Sequence, residues 1–562
     1  MMRKLLALLM GGVVLIGPLS SIGYASDIPD EQWSIMTNLF DKSADKTGIT
    51  LQGLSIQDNT DLSEKVSTLV GRAPGIDGNL GFRICKSIDD PFCAPGLAQY
   101  LTAFLPVCQS KSEINCIIGV AAIKNGSEIE GVYSRNFPEV GYTDFPGDPA
   151  RGIPTGSTPS LWKFPNLIHG GGGDDYLASF FVRANFNGSA IPRINSYEAT
   201  INPVSIEAGA WARNEAKDGT GKSLPSCTNH CGMELAGHSQ NDKFICASLA
   251  DGFCALRQAF PEGVRFKIKA RLSQAPVGWL HGRLKSPDIQ ILDYSSWVEI
   301  SVEAEPVIVP VVGILQDYYK LPAELQSKYP TPTGFQWGNG ANSGIRMNSL
   351  LMPPPDSQQA FEDISIWKDY INDRANASPT EWAVRSLDSG VTTARCFQST
   401  SDLVGIVTTN SMVYLGSPPT FNKENQTLEY KVASPHFTSK GEVFKGTYDL
   451  QIKSSVARCL YGFSSAPISA AISIVSENGE ANIATTVVTE QNGWLKMAAY
   501  GFTFSNPTLL VKLSQASPTV SPTPTSTPTS TKKLTVKCAK GKQIRKISGS
   551  APRCPSGFRK AA

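Results

Sequence analysis

"VRFKIKARL", residues 264–272, alternates without a break. Val264, Phe266, Ile268, Ala270 and Leu272 fall on one side of an extended chain; Arg265, Lys267, Lys269 and Arg271 fall on the other. Successive side chains of a strand point to opposite faces, so period two marks a half-buried strand. The pattern predicts an apolar face on a core and a basic face in water. "WVEISVEAE" (297–305) repeats it, with Val298, Ile300, Val302 and Ala304 against Glu299, Ser301 and Glu303. In "DYLASFFVRANF" (175–186), Tyr176, Ala178, Phe180, Val182 and Phe186 share a side, with Arg183 and Asn185 opposite. "YDLQIKSSVARC" (448–459) and "PTLLVKL" (507–513) read as strands too.

The breakers agree. With 49 Gly and 38 Pro among 562 residues, turns are frequent. Long helical patterns are scarce; the best is "DEQWSIMTNLFDKSADK" (30–46), with Trp33, Met36, Leu39 and Phe40 on one face. The expectation is a mainly β protein of several antiparallel, sandwich-like modules with a short N-terminal helical segment. The chain is too long for one core, so three or four domains are expected.

Twelve cysteines make an even set. In an exported chain that reads as disulfides stapling the modules, with metal binding at "CTNHC" (227–231) as the competitor. The favoured pairs are Cys85–Cys93, Cys108–Cys116, Cys227–Cys231, Cys246–Cys254, Cys396–Cys459 and Cys538–Cys554. Bridges across the 15-residue gaps Cys93–Cys108 and Cys231–Cys246 remain the alternative. The repeated spacings suggest duplication, with "CQSKSEINC" (108–116) echoed by "CASLADGFC" (246–254). A second echo joins "GWLHGRLKSPDIQI" (from 278) to "GWLKMAAYGFTFSNPTLLVKL" (from 493).

The two ends speak to location. Arg3 and Lys4, then an apolar run to Ile16, then Gly23 and Ala25, have the layout of a secretory signal peptide. That run is shorter than the roughly 20 residues of a membrane span. At the other end, a Ser/Thr/Pro spacer (514–531) precedes a segment with no acid. It carries Lys532, Lys533, Lys537, Lys540, Lys542, Arg545, Lys546, Arg553, Arg559 and Lys560. The whole chain is nearly neutral, at 51 basic against 49 acidic side chains, so the remainder is mildly acidic. A basic knob on a tether should seek an anionic cell-wall or extracellular polymer, in a salt-sensitive way. Glycans and other surface proteins are further partners; export argues against nucleic acid.

Boundaries follow from these shifts: signal peptide 1–25, helical segment 26–75, first Cys-pinned module 76–215 and second module 216–315. C-terminal β modules over 316–513, the linker 514–531 and the tail 532–562 complete the chain. The spacer and "KKLTVKCAKGKQIRKISGSAPRCPSGFRK" together resemble the basic two-Cys tails of uncharacterised exported actinobacterial surface proteins. The stretch from "ARCFQST" to "FTFSNPTLLVKL" is similar to secreted actinobacterial proteins as well. The resemblance implies export or surface retention and carries no activity with it.

Catalytic motifs are fragmentary. "HGGGGDD" (169–175) has the composition of an esterase oxyanion loop, and "GHSQN" with Ser239 approaches a nucleophile elbow. Asn241 stands where that elbow needs Gly. Asp174 and Asp175 are weak candidates for a hard cation. "GTGKS" (219–223) lacks the upstream Gly spacing of a phosphate loop. In "GWLHGRL", Trp279, His281 and Arg283 share a face if this is a strand and are the weak candidates for a binding surface, although Trp279 also suits a core. The expected role is a secreted, envelope-associated protein for binding, adhesion or structural coating, with no cofactor. The runner-up is a secreted hydrolase of polysaccharide or ester substrates.

Overall fold

The computed structural model describes residues 28–35, 50–58, 65–74, 80–94, 96–209, 245–328, 347–387, 395–397, 402–465, 468–475, 481–482, 485–504, 508–515 and 534–561. The protein is mostly β, in several mainly antiparallel sheets. It divides into two compact units, Met1–Ser514 and Gln515–Ala562.

The two diagnostic strands pair with each other. Val264–Leu272 runs antiparallel to Trp297–Glu305, with Lys267 opposite Glu303, Ile268 opposite Val302 and Arg271 opposite Glu299. The apolar alternates are buried on both strands, as the period requires. The polar alternates match too, because opposite charges face each other across the ladder. Arg265 reaches Glu303 at 2.9 Å, Lys267 reaches Glu303 at 3.3 Å, and Arg271 reaches Glu299 at 3.4 Å. The basic face is therefore clothed in carboxylates rather than bare. Lys285–Tyr294, Cys116–Lys124 and Ser127–Glu130 complete a five-stranded sheet.

This sheet lies over one face of a long sheet of fifteen described strands. Their shared core includes Phe266, Ile268 and Val302 from the small sheet, and Phe180, Tyr197 and Leu280 from the long one. Farther along, a six-stranded sheet covers the opposite face of the long sheet. That second core joins Tyr448, Leu450 and Ile452 to Tyr430, Leu509 and Val511. The strands Gly278–Arg283 and Leu403–Thr409 contribute to both cores by alternation: Leu280 and Ile406 face one, Trp279 and Val407 the other. Two sandwiches thus share one central sheet. A third core packs the Gln358–Trp367 helix on a three-stranded sheet through Leu54, Val312, Ile364 and Trp367.

Central strands lose the alternation because both faces are covered. Asp175–Asn185 is buried throughout most of its length, with Arg183 and Asn185 exposed near its end. Gly278–Arg283 is buried at every position. "YDLQIKSSVARC" is not one strand: the strand ends at Lys453 and a helix runs Ser454–Tyr461. Near the start, a short helical turn spans Asp30–Gln32, and strands occupy Thr50–Ile56 and Thr68–Pro74 within the expected helical segment. Most of the helix expected over 30–46 lies outside the described residues. The long sheet takes strands from both sides of 215/216 and of 315/316.

Among the described residues five disulfides are formed: Cys85–Cys93, Cys108–Cys116, Cys246–Cys254, Cys396–Cys459 and Cys538–Cys554. They are the local pairs, not bridges across the 15-residue gaps. Cys227 and Cys231 lie outside the described residues. The cysteine echo does not extend to structure. Cys108–Cys116 closes a loop ahead of a strand of the five-stranded sheet, whereas Cys246–Cys254 staples a hairpin on the long sheet. The Gly-Trp-Leu echo has a structural counterpart. Each copy opens a strand of the long sheet, at Gly278 (φ 75°) and just after Gly493 (φ 78°), and each next described strand joins a covering sheet. Among the described residues no helix is long and apolar enough to cross a membrane.

Candidate polyanion-binding site

The terminal unit is built from its turn outward. Leu534–Lys540 and Gln543–Gly549 pair as a hairpin with Lys540 opposite Gln543, leaving a two-residue loop. Gly541 supplies the positive φ, 58°, that such a loop needs. Arg559–Lys560 adds a third short strand beside the first. The sheet has little apolar filling; Cys538, fully buried, ties it to Cys554. A segment this short cannot fold on apolar burial alone.

Its surface is cationic on both faces. Lys537, Lys540, Lys542, Arg545, Lys546, Arg553, Arg559 and Lys560 are all exposed. Lys532 and Lys533 lie outside the described residues. Register places Lys537 directly opposite Lys546, a like-charge pair that disfavours the sheet until a counter-ion arrives. On the other face Arg545 and Lys560 flank Cys538. A groove of about 620 Å³ runs beside the first strand, lined by Leu534, Val536, Pro552 and the cations Lys537, Arg553 and Lys560. Charged ends surround a modest apolar floor, which suits a chain bearing repeated phosphates or carboxylates.

Trp279, His281 and Arg283 do share one face of a strand, but that face is interior and the trio forms no binding surface. All three are at most 1 % exposed. Trp279 packs edge-on against Phe397 in the second core. His281 stacks on Tyr414 with ring centres 3.8 Å apart. Arg283 pairs with buried Asp58, and its Nη1 donates to the Thr409 carbonyl at 3.0 Å and to Ser411, while Nη2 reaches Met412 O at 3.3 Å. Arg385 lies 3.7 Å from the same Asp58 and bonds Asp356 at 3.2 Å. Burial pushes the Asp58 carboxyl up, but the Arg283 and Arg385 charges prevail and hold it well below the usual carboxylate range. Burial, then the same two cations, drives His281 well below its ordinary value, so it is neutral. Burial, with the nearby Asp58 charge, raises Glu381 to about 7. This ionic node, missed from sequence, joins side chains 225 residues apart. Arg283, a charge inside an otherwise buried strand, was the signal the sequence held.

Asp174 and Asp175 converge on a lysine: Lys163 Nζ is 3.2 Å from one and 2.9 Å from the other. That cation occupies the place a hard metal ion would take. The glycine loop before them spends its amides internally. Gly170 donates to Ala259 O, Gly171 to His169 Nδ1 and Gly172 to His169 O. An oxyanion hole needs such donors unoccupied. Ser239, "GTGKS" and "CTNHC" lie outside the described residues.

No family model, no curated protein and no solved structure matches this chain.

Proposed function

We propose that the chain is an exported, envelope-associated protein whose work is binding, adhesion or coating rather than catalysis, and that its terminal sheet grips an anionic wall or extracellular polymer. The observation that carries the reading is a disulfide-tied sheet presenting eight exposed cations and no acid, with Lys537 facing Lys546. The signal-like N-terminus and the local disulfides support an oxidising destination outside the cytoplasm. A polymer of repeated negative charge relieves the lysine pair and releases its own counter-ions, so attachment weakens as salt rises.

The test replaces Lys537, Lys546, Arg553 and Lys560 by Gln. Cells expressing each form are fractionated into wall and medium, and purified proteins are titrated against polyphosphate and wall teichoic acid at several salt concentrations. The expected result is release into the medium and a flatter salt dependence. Unchanged wall retention by the substituted form rules out the tail as the grip.

A further inference from the structure

The five-stranded sheet has an outer face that the long sheet does not cover, and its rows can be read from the register. One row sets Asp288, Glu303 and Lys267 side by side. The next sets Gln290, Ser301 and Lys269, continuing to Gly119. The third sets Leu292, Glu299 and Arg271, and beyond it Tyr294 faces Trp297. The second row dips at Ser301, a small side chain between Gln290 and Lys269, and again past Lys269 at Gly119, which has no side chain. A Cβ at Gly119 would meet nothing within 4 Å. The taller rows on each side are walls, and between them lies a groove of about 290 Å³ that crosses the strands. Glycine inside a strand often marks such a close-approach site.

The charges of this groove are already answered. Lys267 pairs with Glu128 and Glu303, Lys269 with Glu128 at 3.7 Å, and Asp288 with Lys496 at 2.6 Å. An ionic ligand would have to break these pairs. What stays on offer is hydrogen bonding from Ser301 and from the Gln290 amide, one N–H of which already goes to Asp288 Oδ2 at 3.0 Å, together with an aromatic end. Tyr294 stacks on Trp297 at 3.8 Å, and the Arg271 guanidinium sits 4.7 Å over the same indole. The stack is braced from behind, yet Tyr294 is 43 % exposed and Leu292 52 % exposed. A braced, half-exposed aromatic two rows along the strand from a polar trough, with exposed Leu292 between them, suits an extended molecule with alternating hydroxyl edges and C–H faces. C–H bonds of a sugar ring pack on the negative face of an aromatic ring, while the hydroxyls exchange water for Gln and Ser.

We infer that this groove is part of a binding site for a neutral glycan chain, which leaves the trough along the strand, over exposed Leu292, and sets one sugar ring on Tyr294. The inference does not rest on the terminal sheet: there the unopposed charge selects a polyanion, here the compensated charge selects against one.

The experiment uses the full chain and an array of neutral hexasaccharides, of β-1,4-glucose, β-1,4-N-acetylglucosamine and α-1,6-mannose, with polyphosphate as the anionic arm. Calorimetric titration of the hits follows. Two substitutions read the groove: Tyr294→Ala removes the platform, and Ser301→Trp fills the trough from the exposed side of its strand. Both should weaken glycan binding about tenfold or more, leave polyphosphate binding unchanged and leave the melting temperature within a degree or so. The Lys537/Lys546/Arg553/Lys560→Gln form should do the reverse, losing polyphosphate and keeping the hexasaccharide. Retention of no neutral hexasaccharide at millimolar concentration overturns the inference, as does binding that neither substitution weakens. Preference for polyphosphate at this groove, seen as its loss in Ser301→Trp, overturns it too.

Discussion

Arg283→Met is the sharpest probe of the interior. Arg283 and Asp58 are each about 1 % exposed, and the guanidinium serves Asp58 and the carbonyls of Thr409, Ser411 and Met412. Removing one partner of a buried pair costs about 3–5 kcal/mol. Arg385, 3.7 Å from Asp58, partly shields the orphan, so the low end applies. Three carbonyls that lose this donor add about 1 kcal/mol or more between them, depending on how much water enters. The total is roughly 4–5 kcal/mol, a third or more of a typical domain's stability. Unfolding entropy near 2 cal/mol/K per residue over a unit of roughly 500 residues gives about 1 kcal/mol/K, so the melting temperature should fall about 4–5 °C. Scanning calorimetry on Arg283→Met, Asp58→Leu and the double variant reads it. The double variant should recover at least half the loss, because an apolar pair leaves no stranded charge. A drop below about 1 °C in the single variant, or a double variant no better than Arg283→Met, would refute the reasoning.

Two buried acids should give the body an unusual pH profile. Burial raises Glu381 to about 7 and Asp449, despite its bonds from Tyr500, Ser286 and Thr408, to about 6. A raised folded pKa means the native state holds the proton more tightly than the unfolded chain. This stability is complete below about pH 4 and is lost as pH rises through 6 and 7. Each group contributes on the order of 3 kcal/mol across that window. Asp58 works in the opposite sense, adding stability above about pH 4 that is lost only in strong acid. Melting temperature should therefore fall between pH 5 and pH 7.5, and Glu381→Gln should flatten the fall; an unaltered slope contradicts the burial argument. In the terminal sheet, replacing Cys538 and Cys554 by Ser removes a bridge spanning 16 residues, worth about 3 kcal/mol by chain entropy. Amide exchange at 534–549 should become unprotected and polyphosphate binding should weaken, whereas retained protection would show that the sheet stands without its staple.

Periodicity was readable where one face met solvent and the other a core. Residues 264–272 and 297–305 are such strands, and their alternation is plain in the letters. It failed at 175–185 and 278–283, where covering layers on both sides favour apolar residues at successive positions. Trp279, His281 and Arg283 looked like a platform because strand geometry does align them; what the letters lacked was the second sheet lying on top. The node around Asp58 was invisible because its partners come from distant segments joined only by topology. The cationic end was legible at once, since ten positive charges without an acid need no fold to be noticed. The trough at Ser301 emerges only when the register sets Gln290, Ser301 and Lys269 side by side on three strands.

The shared central sheet sets the order in which this chain must mature. Its middle seam runs from Arg193–Ala208 through Ala383–Ser386 and Gly278–Arg283 to Leu403–Thr409, the last pair parallel. A chain emerging from its N-terminus leaves the edge of Arg193–Ala208 without its neighbour until residue 386 arrives, about 180 residues later. Such long-range closure is slow and leaves sticky edges in waiting. Fragments ending anywhere between should aggregate rather than yield a smaller working piece, so the chain is completed or lost as a whole.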